Sequence, residues 1–398
     1  MTTNDIVLSI NSGSSSIKFS AFTGPSATEC IAKGQVSSLD SKPQIELYFF
    51  NDARQYGPLK VNNCVLTSAI EQFCSALKLS LQTYNHSGHV SVVSHRVVHG
   101  GDIAQHRVID DALLCELTSL VPLDPLHLPS NIAAIKIALD LFPHARHVAC
   151  FDTVFHTTIP LTAKQYALPK LLFDQGIKRY GFHGLSYQYV CQQLKAHYNE
   201  LNDRKLIVAH LGSGASLCAI KNGDSQYCTM GFSVLDGVTM GTRCGAIDPG
   251  VLLYLLRQDY SALDIEELLY RQSGLLGLSG LSNDMRNLFA DDSAASQEAI
   301  AHFTLTVVRE IGALTAMLNG CNTLVFTGGI GEHAPRIRAR VCQQLSYLGL
   351  ELDDQKNNQH CHDGVISGIH SKVEVWVIST NEEKVMAQIA QQLAANNA

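Results

Sequence analysis

Several common features are missing from this chain of 398 residues. It has no apolar run long enough to cross a bilayer. Its first residues, Met1–Asp5, lack the positive region and apolar core of a signal peptide. We therefore expect a cytoplasmic protein with no membrane partner.

An excess of positive charge is also missing. The chain carries 29 Lys and Arg against 36 Asp and Glu, a net charge of −7. This balance argues against a broad nucleic-acid surface or an anionic-membrane patch. We expect no nucleic-acid partner, and any anionic ligand must be bound by local arginines.

The twelve cysteines include no C-x-x-C pair, so we expect reduced, mostly buried thiols. His360–His362 is the one cluster of metal-ligand side chains. Adjacent side chains point apart in a strand or loop, and the spacing does not fit the usual ligand patterns. We predict no metal site there.

No linker or low-complexity tract divides the chain, although its length favours two domains. What it does contain is a repeat. Ile6–Phe22 has two apolar, β-prone runs around the Ser/Gly tract Asn11–Ser16, and Leu206–Ile220 repeats this pattern around Gly212–Ser216. One such tract alone is typical of an ordinary hairpin. Two copies half a chain apart indicate a duplicated domain whose turns present N–H groups to phosphates.

Periodicity predicts the remaining elements. Strands are predicted at Gln44–Phe50, Val90–Ser94, His147–Phe151, Thr323–Thr327 and Glu374–Ile378. Helices are predicted at Asn63–Tyr84, Asp110–Leu120, Ser130–Leu141, Val251–Gln258, Ser261–Arg271 and about Ala294 to Asn319. Ser130 is predicted to cap its helix. A further helix is predicted to end at about Ala196, and another to begin at Pro335. Thr380 and Glu383 have the spacing of a capping box for a terminal helix. Leu123–Pro129 is predicted as loop, and the Gly-rich stretch Gly231–Gly250 as a functional one.

The two turns and the Gly328–Gly331 tract together favour a nucleotide site, because small residues let a ligand approach the backbone. Asn11 and Glu382 could hold a Mg²⁺ bridging the phosphates, and Lys18 could neutralise one of them. Each has an ordinary alternative: a turn former, a first-turn acid favoured by the helix dipole, and a surface lysine.

Arg96, His183 and Arg243 each lie in a Gly-containing loop. Three such groups at one point would neutralise a transferring phosphoryl group, whose charge spreads over three oxygens. The alternatives are ion-paired or surface arginines and a buried structural histidine.

Motifs spread over essentially the whole chain resemble those of a known family, the acetate kinases. The matching motifs are Asn11–Ser16 with Lys18, His95–Gly101, Phe151–Thr153, Tyr180–Gly184, Met240–Arg243, Ser282–Arg286, Gly328–Glu332 and Thr380–Glu383. The resemblance implies an α/β fold of duplicated ribonuclease-H-like (actin-like ATPase) domains with an interdomain cleft. We expect residues 1–152 plus 380–398 to form the N-terminal domain and 153–379 the nucleotide-binding domain, in a chain that commonly forms homodimers.

The resemblance also implies roles and a reaction: reversible transfer of a phosphoryl group from ATP to a short-chain carboxylate, giving an acyl phosphate and ADP. It implies Mg²⁺, with Mn²⁺ as a substitute, on Asn11 and Glu382. It implies three catalytic residues: Asp152, His183 and Arg243. Substrate-binding residues would be Arg96, Val98, Leu126, Phe182 and Val234. ATP-binding residues would be Lys18, His210, Leu211, Gly212, Ser213, Gly214, Asp284, Met285, Arg286, Gly329, Ile330, Gly331, Glu332 and His333.

These roles can be examined physically. A carboxylate acceptor is already an anion at pH 7, so Asp152 need not act as a base. We expect Asp152 to orient Arg96 or a Mg²⁺-bound water. The acceptor and the γ-phosphate repel each other by several kcal/mol at contact, taking an effective dielectric of about 20. Arg96 and Arg243 are the candidates for removing this repulsion.

Some positions depart from the family pattern: Ser213, His333, Val234, Leu128, Leu185, Tyr187, Cys244 and Ala246. Ser213 and His333 bear on nucleotide preference. Val98 favours a small acid, and one methylene changes discrimination by only about 1–3 kcal/mol, so we expect acetate, with propionate as the alternative.

Two other classes remain open. One is a nucleotide-driven conformational switch like the chaperone and actin ATPases, which would not need Arg96, His183 and Arg243. The other is a sugar or glycerol kinase, which would need a base for a neutral hydroxyl group.

Overall fold

In the computed structural model, the described residues are 5–12, 16–24, 26–37, 44–51, 54–56, 61–62, 89–359 and 363–396. The chain divides into two compact units. The first unit is Met1–Val154 with Asn381–Ala398, and the second is Phe155–Thr380. The helix predicted at Asn63–Tyr84, the turn residues 13–15 and the His360–His362 cluster lie outside the described residues.

The first unit is built on one mixed sheet. Its strands are β1 (Asp5–Ser12), β2 (Ser16–Thr23), β3 (Glu29–Ser37), β4 (Gln44–Asn51), β5 (Arg54–Tyr56), β6 (Val61–Asn62), β7 (His89–Val97), β8 (Arg107–Val108) and β9 (Arg146–Phe151). The order is β5-β4-β3-β2-β1-β7-β9-β8, and β6 pairs with β4. Strands β1, β2 and β3 are antiparallel neighbours, while β7 runs parallel to both β1 and β9.

The second unit repeats this pattern. Its strands are β10 (Lys205–Leu211), β11 (Ala215–Lys221), β12 (Asp224–Cys228), β13 (Thr323–Thr327), β14 (Gly364–Val365) and β15 (Glu374–Val377). The order is β12-β11-β10-β13-β15-β14. Strands β10, β11 and β12 are antiparallel, and β13 runs parallel to β10 and β15. In both units, a hairpin meander of three strands is followed by two parallel strands on the side of the first. The predicted duplication and α/β fold class are therefore confirmed.

Helices of the described residues cover the sheets and build the loops between them. They are α1 (Asp111–Ser119), α2 (Leu128–Leu141), α3 (Leu161–Lys164), α4 (Lys170–Asp174), α5 (Gly184–Tyr198), α6 (Pro249–Arg257), α7 (Ala262–Arg271), α8 (Gly274–Ser279), α9 (Met285–Ala290), α10 (Ala294–Met317), α11 (Gly328–His333), α12 (Pro335–Gln344), α13 (Asp354–Gln359) and α14 (Glu382–Asn396). Short 3₁₀ turns lie at Val121–Leu123, Val154–Thr158 and Ser346–Leu348. Between β12 and α6, residues 229–248 form neither helix nor strand, as the Gly-rich pattern predicted.

Two predicted helix caps are wrong. Helix α2 starts at Leu128 rather than after Ser130, because Pro129 is accommodated in its first turn. Helix α14 starts at Glu382, and its cap is Asn381, whose Oδ1 accepts a hydrogen bond of 3.0 Å from the Lys384 backbone N–H. Thr380 and Glu383 therefore do not form a capping box.

The first unit packs its apolar strand faces against α2 and neighbouring segments. Ile6, Leu8 and Ile10 alternate along β1 into one cluster with Phe19 of β2 and Phe142, which follows α2. Burial of each such side chain contributes about 1.5–3 kcal/mol. No helix of the described residues is both long and apolar enough to cross a membrane. The cysteines in the described part are free thiols.

Burial disfavours the charged form of three histidines. His95 Nε2 lies 3.1 Å from His147 Nδ1, and His147 Nε2 lies 3.1 Å from the Phe142 carbonyl oxygen. Burial lowers the pKa of His95 and of His147. In the second unit, burial lowers the pKa of His156 to about 4.

These histidines predict acid sensitivity. A histidine in the unfolded chain has a pKa near 6.5. Below that pH the unfolded chain binds more protons than the folded chain, so the free energy of unfolding falls. For His156 at pH 5 the loss is about 2 kcal/mol, from a folded pKa of about 4 and this reference value. Urea denaturation measures the free energy of unfolding at pH 5 and at pH 7. The difference between the two values should be about 2 kcal/mol smaller in His156→Gln than in the unmodified protein. His302→Gln, at an exposed position, should leave the difference unchanged. Equal pH differences in both variants would contradict the prediction.

Candidate active site

In the first unit, the candidate residues lie at one edge of the sheet. Because β1, β7 and β9 are parallel, their carboxyl ends meet at the same edge, where open α/β sheets bind ligands. Asn11 is near the end of β1, Arg96 is near the end of β7, and Asp152 directly follows β9. The fold thus brings together three residues that are far apart in sequence.

Arg96 and Asp152 form a two-pronged ion pair. Arg96 Nε donates to Asp152 Oδ1 at 2.9 Å, and Nη2 donates to Asp152 Oδ2 at 2.6 Å. The side chain of Arg96 is 14% exposed and that of Asp152 is 1% exposed. Both carboxylate oxygens of Asp152 are engaged by one planar fork, which fixes the guanidinium in place.

Further contacts surround the same guanidinium. Arg96 Nη1 donates to Asn11 Oδ1 at 3.1 Å and lies 3.4 Å from Glu382 Oε2. Burial alone would lower the pKa of Arg96, but the nearby carboxylates of Asp152, Glu382 and Glu383 raise it above its ordinary value. Arg96 is therefore permanently cationic.

Helix α14 brings two acidic side chains to Asn11. Asn11 Nδ2 donates to Glu382 Oε2 at 3.0 Å and to Glu383 Oε1 at 2.8 Å, and Ser9 Oγ donates to the Glu383 carbonyl at 2.8 Å. The Glu383 carboxylate thus orients the Asn11 amide instead of capping its own helix. The amide and carboxylate oxygens of Asn11 and Glu382 are the hard donors that fit Mg²⁺, which keeps most of its waters.

Asn131 of α2 connects the ends of β1 and β7. Its Oδ1 accepts from the Val98 N–H at 3.0 Å, and its Nδ2 donates to the Ser12 carbonyl at 3.0 Å. Within the part of the chain that the structure describes, the buried Ser12 Oγ has no hydrogen-bond partner. An unpartnered buried hydroxyl at the start of the predicted phosphate turn fits a ligand oxygen.

In the second unit, the Gly212–Gly214 turn between β10 and β11 is the centre of the candidate site. A Cβ atom built on Gly214 would lie 3.5 Å from Arg243 Nη1 and 3.6 Å from His183 Nε2. A Cβ atom on Gly212 would lie 3.9 Å from the Gly329 backbone nitrogen. The absence of side chains at Gly212 and Gly214 leaves room for a ligand beside these donors.

The backbone holds Arg243 at this turn. Gly241 N–H donates to the Ser213 carbonyl at 3.1 Å, and Arg243 Nη1 donates to the Val234 carbonyl at 3.2 Å. A Cβ atom on Gly241 would lie 3.4 Å from the Asn283 carbonyl, so the segment before α9 also lies beside this turn. The predicted functional loop thus packs on the second hairpin.

His183 stands at the N-terminus of α5 with φ +57°, in the left-handed region. Its Nδ1 lies 2.8 Å from Ser216 Oγ, and its ring stacks on His210 with centroids 4.3 Å apart. The His210 Nδ1 in turn lies 2.8 Å from Ser186 Oγ. Both imidazoles are therefore held in defined orientations.

His156 supports the loop before His183. Its Nε2 lies 2.9 Å from the Phe182 carbonyl oxygen, and its Nδ1 lies 2.8 Å from Ser225 Oγ. Gly181 has φ +86°, and a Cβ atom there would lie 2.5 Å from the His156 ring. Only glycine fits at this point.

The Gly-rich helix α11 is held at both ends. Glu332 Oε1 accepts hydrogen bonds from the N–H groups of Gly328, at 2.9 Å, and Thr380, at 3.1 Å. The buried Arg338 donates from Nη1 to the carbonyls of Gly331 and Glu332, both at 2.8 Å. The carboxylate of Glu332 thus shapes the backbone of α11.

The other predicted ATP-binding residues are less tightly grouped. Asp284 caps α9 and pairs at 2.6 Å with Arg286, whose side chain is 90% exposed. Met285 is buried, while Lys18 on β2 and His333 at the end of α11 are exposed. Ile330 lies within α11, and Leu211 ends β10.

The predicted acyl-pocket residues are divided between the units. Val98 and the partly buried Leu126 belong to the first unit, and the buried Phe182 and Val234 belong to the second.

Sequence reasoning missed several supporting residues. Asn131, His156, Ser216 and Arg338 were not singled out, and Glu383 was given a capping role. Their signal is weak in sequence because each acts through hydrogen bonds that only the tertiary fold creates.

The buried ion pair in the first unit predicts a large stability effect. Asp152→Ala removes the two-pronged partner of the buried Arg96 charge, so the free energy of unfolding should fall by about 3 kcal/mol. Urea denaturation measures this. Glu116→Ala removes the exposed partner of Arg107 in the same unit and should cost less than about 1 kcal/mol. Similar losses in both variants would contradict the expected strength of the buried pair.

Comparison with known proteins places this chain in one family. The Acetokinase family model matches residues 6–388. The chain is 42% identical over 397 residues to an acetate kinase of Rhodopseudomonas palustris (strain TIE-1), which covers 98% of this chain and 99% of that relative. A crystal structure of a propionate kinase from Francisella tularensis has a TM-score of 0.88 at 34% identity, covering 98% of this chain and all of that chain. Porphyromonas gingivalis acetate kinase gives a TM-score of 0.86 at 32% identity, again covering 98% of this chain and all of that chain. The chain therefore belongs to the acetokinase family.

Proposed function

We propose that this enzyme catalyses the reversible, Mg²⁺-dependent transfer of the γ-phosphoryl group of ATP to acetate, giving acetyl phosphate and ADP. The observation that carries the proposal is the approach of His183 Nε2 and Arg243 Nη1 to Gly214, which has no side chain. An imidazole and a guanidinium at one turn suit the spread charge of a transferring phosphoryl group.

The acceptor needs no general base. An acetate oxygen attacks the γ-phosphorus, the bond from that phosphorus to the β,γ-bridging oxygen breaks, and ADP leaves with the bonding electrons. No proton moves, because acetate is already ionised at neutral pH. This chemistry agrees with the engagement of both Asp152 oxygens by Arg96.

Arg96 is proposed to bind the acceptor carboxylate. Asp152 and Asn11 take three of its five N–H groups, so N–H groups remain for an anion. Asp152 is then a positioning residue that holds the fork. A second carboxylate, that of Glu382, would share with Asn11 the binding of Mg²⁺, which supplies positive charge to the phosphates.

ATP would be bound by backbone groups and hydroxyls. The unpartnered Ser12 Oγ and Thr327 Oγ1, among the described residues, lie at the carboxyl ends of β1 and β13. We propose that the Gly212–Gly214 turn with His210 and Leu211, and Lys18, bind phosphates. We propose that Asp284–Arg286 and Gly329–His333 bind the nucleoside.

Acetate is proposed over propionate because the buried Val98, which the family resemblance assigns to the acyl chain, favours a small acid. Propionate is the second candidate, since a propionate kinase is among the similar solved structures. A cytoplasmic location and a homodimer also remain part of the proposal. Exposed apolar side chains on α6 and α7, among them Leu253, Tyr254 and Leu263, are compatible with a second copy.

Substrate profiling tests the proposal directly. Purified protein with MgATP should give hydroxylamine-trappable acyl phosphate from acetate, less from propionate and butyrate, and no product from glycerol. Mn²⁺ should replace Mg²⁺, and EDTA should abolish activity. ATP hydrolysis without acyl phosphate from any of these acids would indicate a nucleotide switch instead.

Arg243→Lys should lower kcat/KM for acetate at least about 100-fold, because an ammonium group cannot reproduce a planar two-pronged donor. Arg271→Lys, at an exposed ion pair on α7, should behave like the unmodified enzyme. Near-normal kcat/KM in Arg243→Lys would refute the role of Arg243.

Asp152→Asn separates an orienting role from a basic one. It should lower kcat uniformly across pH while leaving the shape of the pH profile unchanged, since no proton is abstracted. Steady-state rates between pH 5.5 and 8.5 measure this. Selective loss of one acidic limb of the profile would show instead that Asp152 takes a proton.

A further inference from the structure

Behind His183 lies a short chain of buried hydroxyl groups. His183 Nδ1 lies 2.8 Å from Ser216 Oγ, and Ser216 Oγ lies 2.5 Å from the Tyr187 hydroxyl. Tyr187 follows one helical turn after His183 on α5, and Ser216 is on β11. Neither Tyr187 nor Ser216 has any exposed surface. The three groups are thus held by a helix and a strand rather than by a mobile loop.

The hydrogen bond between Tyr187 and Ser216 can be donated by either oxygen. Burial raises the pKa of Tyr187 well above its ordinary value, so the phenol keeps its proton. Its hydrogen-bond neighbours include Ser216 Oγ and the Cys228 thiol, whose Sγ donates to the Phe182 carbonyl. A hydroxyl oxygen is a better acceptor than a thiol sulfur, so the phenol proton is assigned to Ser216 Oγ.

A serine hydroxyl has one proton. If Ser216 Oγ accepts from Tyr187, its own proton is directed to His183 Nδ1, which must then be the unprotonated ring nitrogen. A neutral imidazole carries its proton on the other nitrogen, Nε2. Nε2 is the atom that faces the Gly214 turn.

We propose that Tyr187 and Ser216 are positioning residues that hold His183 as a neutral imidazole with its proton on Nε2, ready to donate to an oxygen of the transferring phosphoryl group. This inference deepens the proposed function and rests on it for the identity of the acceptor oxygen.

The neighbours of His183 agree with a neutral ring. Arg243 Nη1 approaches the same turn, and a nearby cation disfavours a second positive charge. His210 stacks on the other ring face, with its Nδ1 engaged by Ser186. Cys228, whose Sγ donates to the Phe182 carbonyl, stays a neutral thiol because burial raises its pKa to about 11.

The first test reads the tautomer without relying on activity. In protein labelled with ¹⁵N-histidine, long-range ¹H–¹⁵N spectra distinguish an Nε2–H ring from an Nδ1–H ring. The His183 signals are those missing from His183→Gln. We expect the Nε2–H form in the unmodified protein and a mixture of forms in Tyr187→Phe. An Nδ1–H ring or a doubly protonated ring in the unmodified protein would overturn the proposal.

The second test is a double-mutant cycle on turnover. Tyr187→Phe and Ser216→Ala should each lower kcat about tenfold, while the KM for ATP changes less than twofold. The double variant should be no worse than Ser216→Ala alone, because the two act through one chain of hydrogen bonds. Ser216→Thr keeps the hydroxyl and should restore kcat.

Tyr198→Phe is the matched control. Tyr198 lies on the same helix α5 and hydrogen-bonds through its hydroxyl to Trp376 and Glu374, away from His183. Its kcat should equal that of the unmodified enzyme. Equal kcat values for Tyr187→Phe and Tyr198→Phe would refute the positioning role of Tyr187. Losses of kcat that multiply in the double variant of Tyr187 and Ser216 would refute their action through one chain of hydrogen bonds. If the protein made no acyl phosphate but His183 showed the Nε2–H form, the function would fail while the assignment of the tautomer stood.

Discussion

The direction of the strands is the constraint on which both halves of this protein depend. In each unit, one hairpin strand is joined by two parallel strands, so three carboxyl ends lie at one edge. That edge receives Asn11, Arg96 and Asp152 in the first unit. It receives the turn after β10 and the start of α11 in the second. Ligand-binding groups thus gather without any of them being neighbours in sequence.

The two sites use different chemistry at equivalent places. The first is rich in charge: a guanidinium is enclosed by an amide and carboxylates that fix its direction. The second places the Arg243 guanidinium and two stacked imidazoles beside glycines. The duplicated fold thus presents different side chains at equivalent edges of its two sheets.

Much of this was predictable from sequence, and the reasons for the exceptions are physical. The hairpins, the parallel strands and α10 carry strong local patterns, so periodicity located them to within a few residues. The caps at Ser130 and Thr380 were wrong because Pro129 and Asn381 supplied competing local solutions. The partners of His183 and Asn11 depend on contacts between residues far apart in the chain, which no local pattern reveals. The proposed roles of the motif residues rest on their resemblance to a family.

The close contact between Gly181 and His156 has an evolutionary consequence. With φ +86° and an imidazole 2.5 Å from where a Cβ would stand, position 181 can gain a side chain only if position 156 shrinks and the backbone relaxes. Substitution at one site therefore presupposes substitution at the other. Positions 181 and 156 should therefore covary among diverging homologues, either changing together or both staying unchanged.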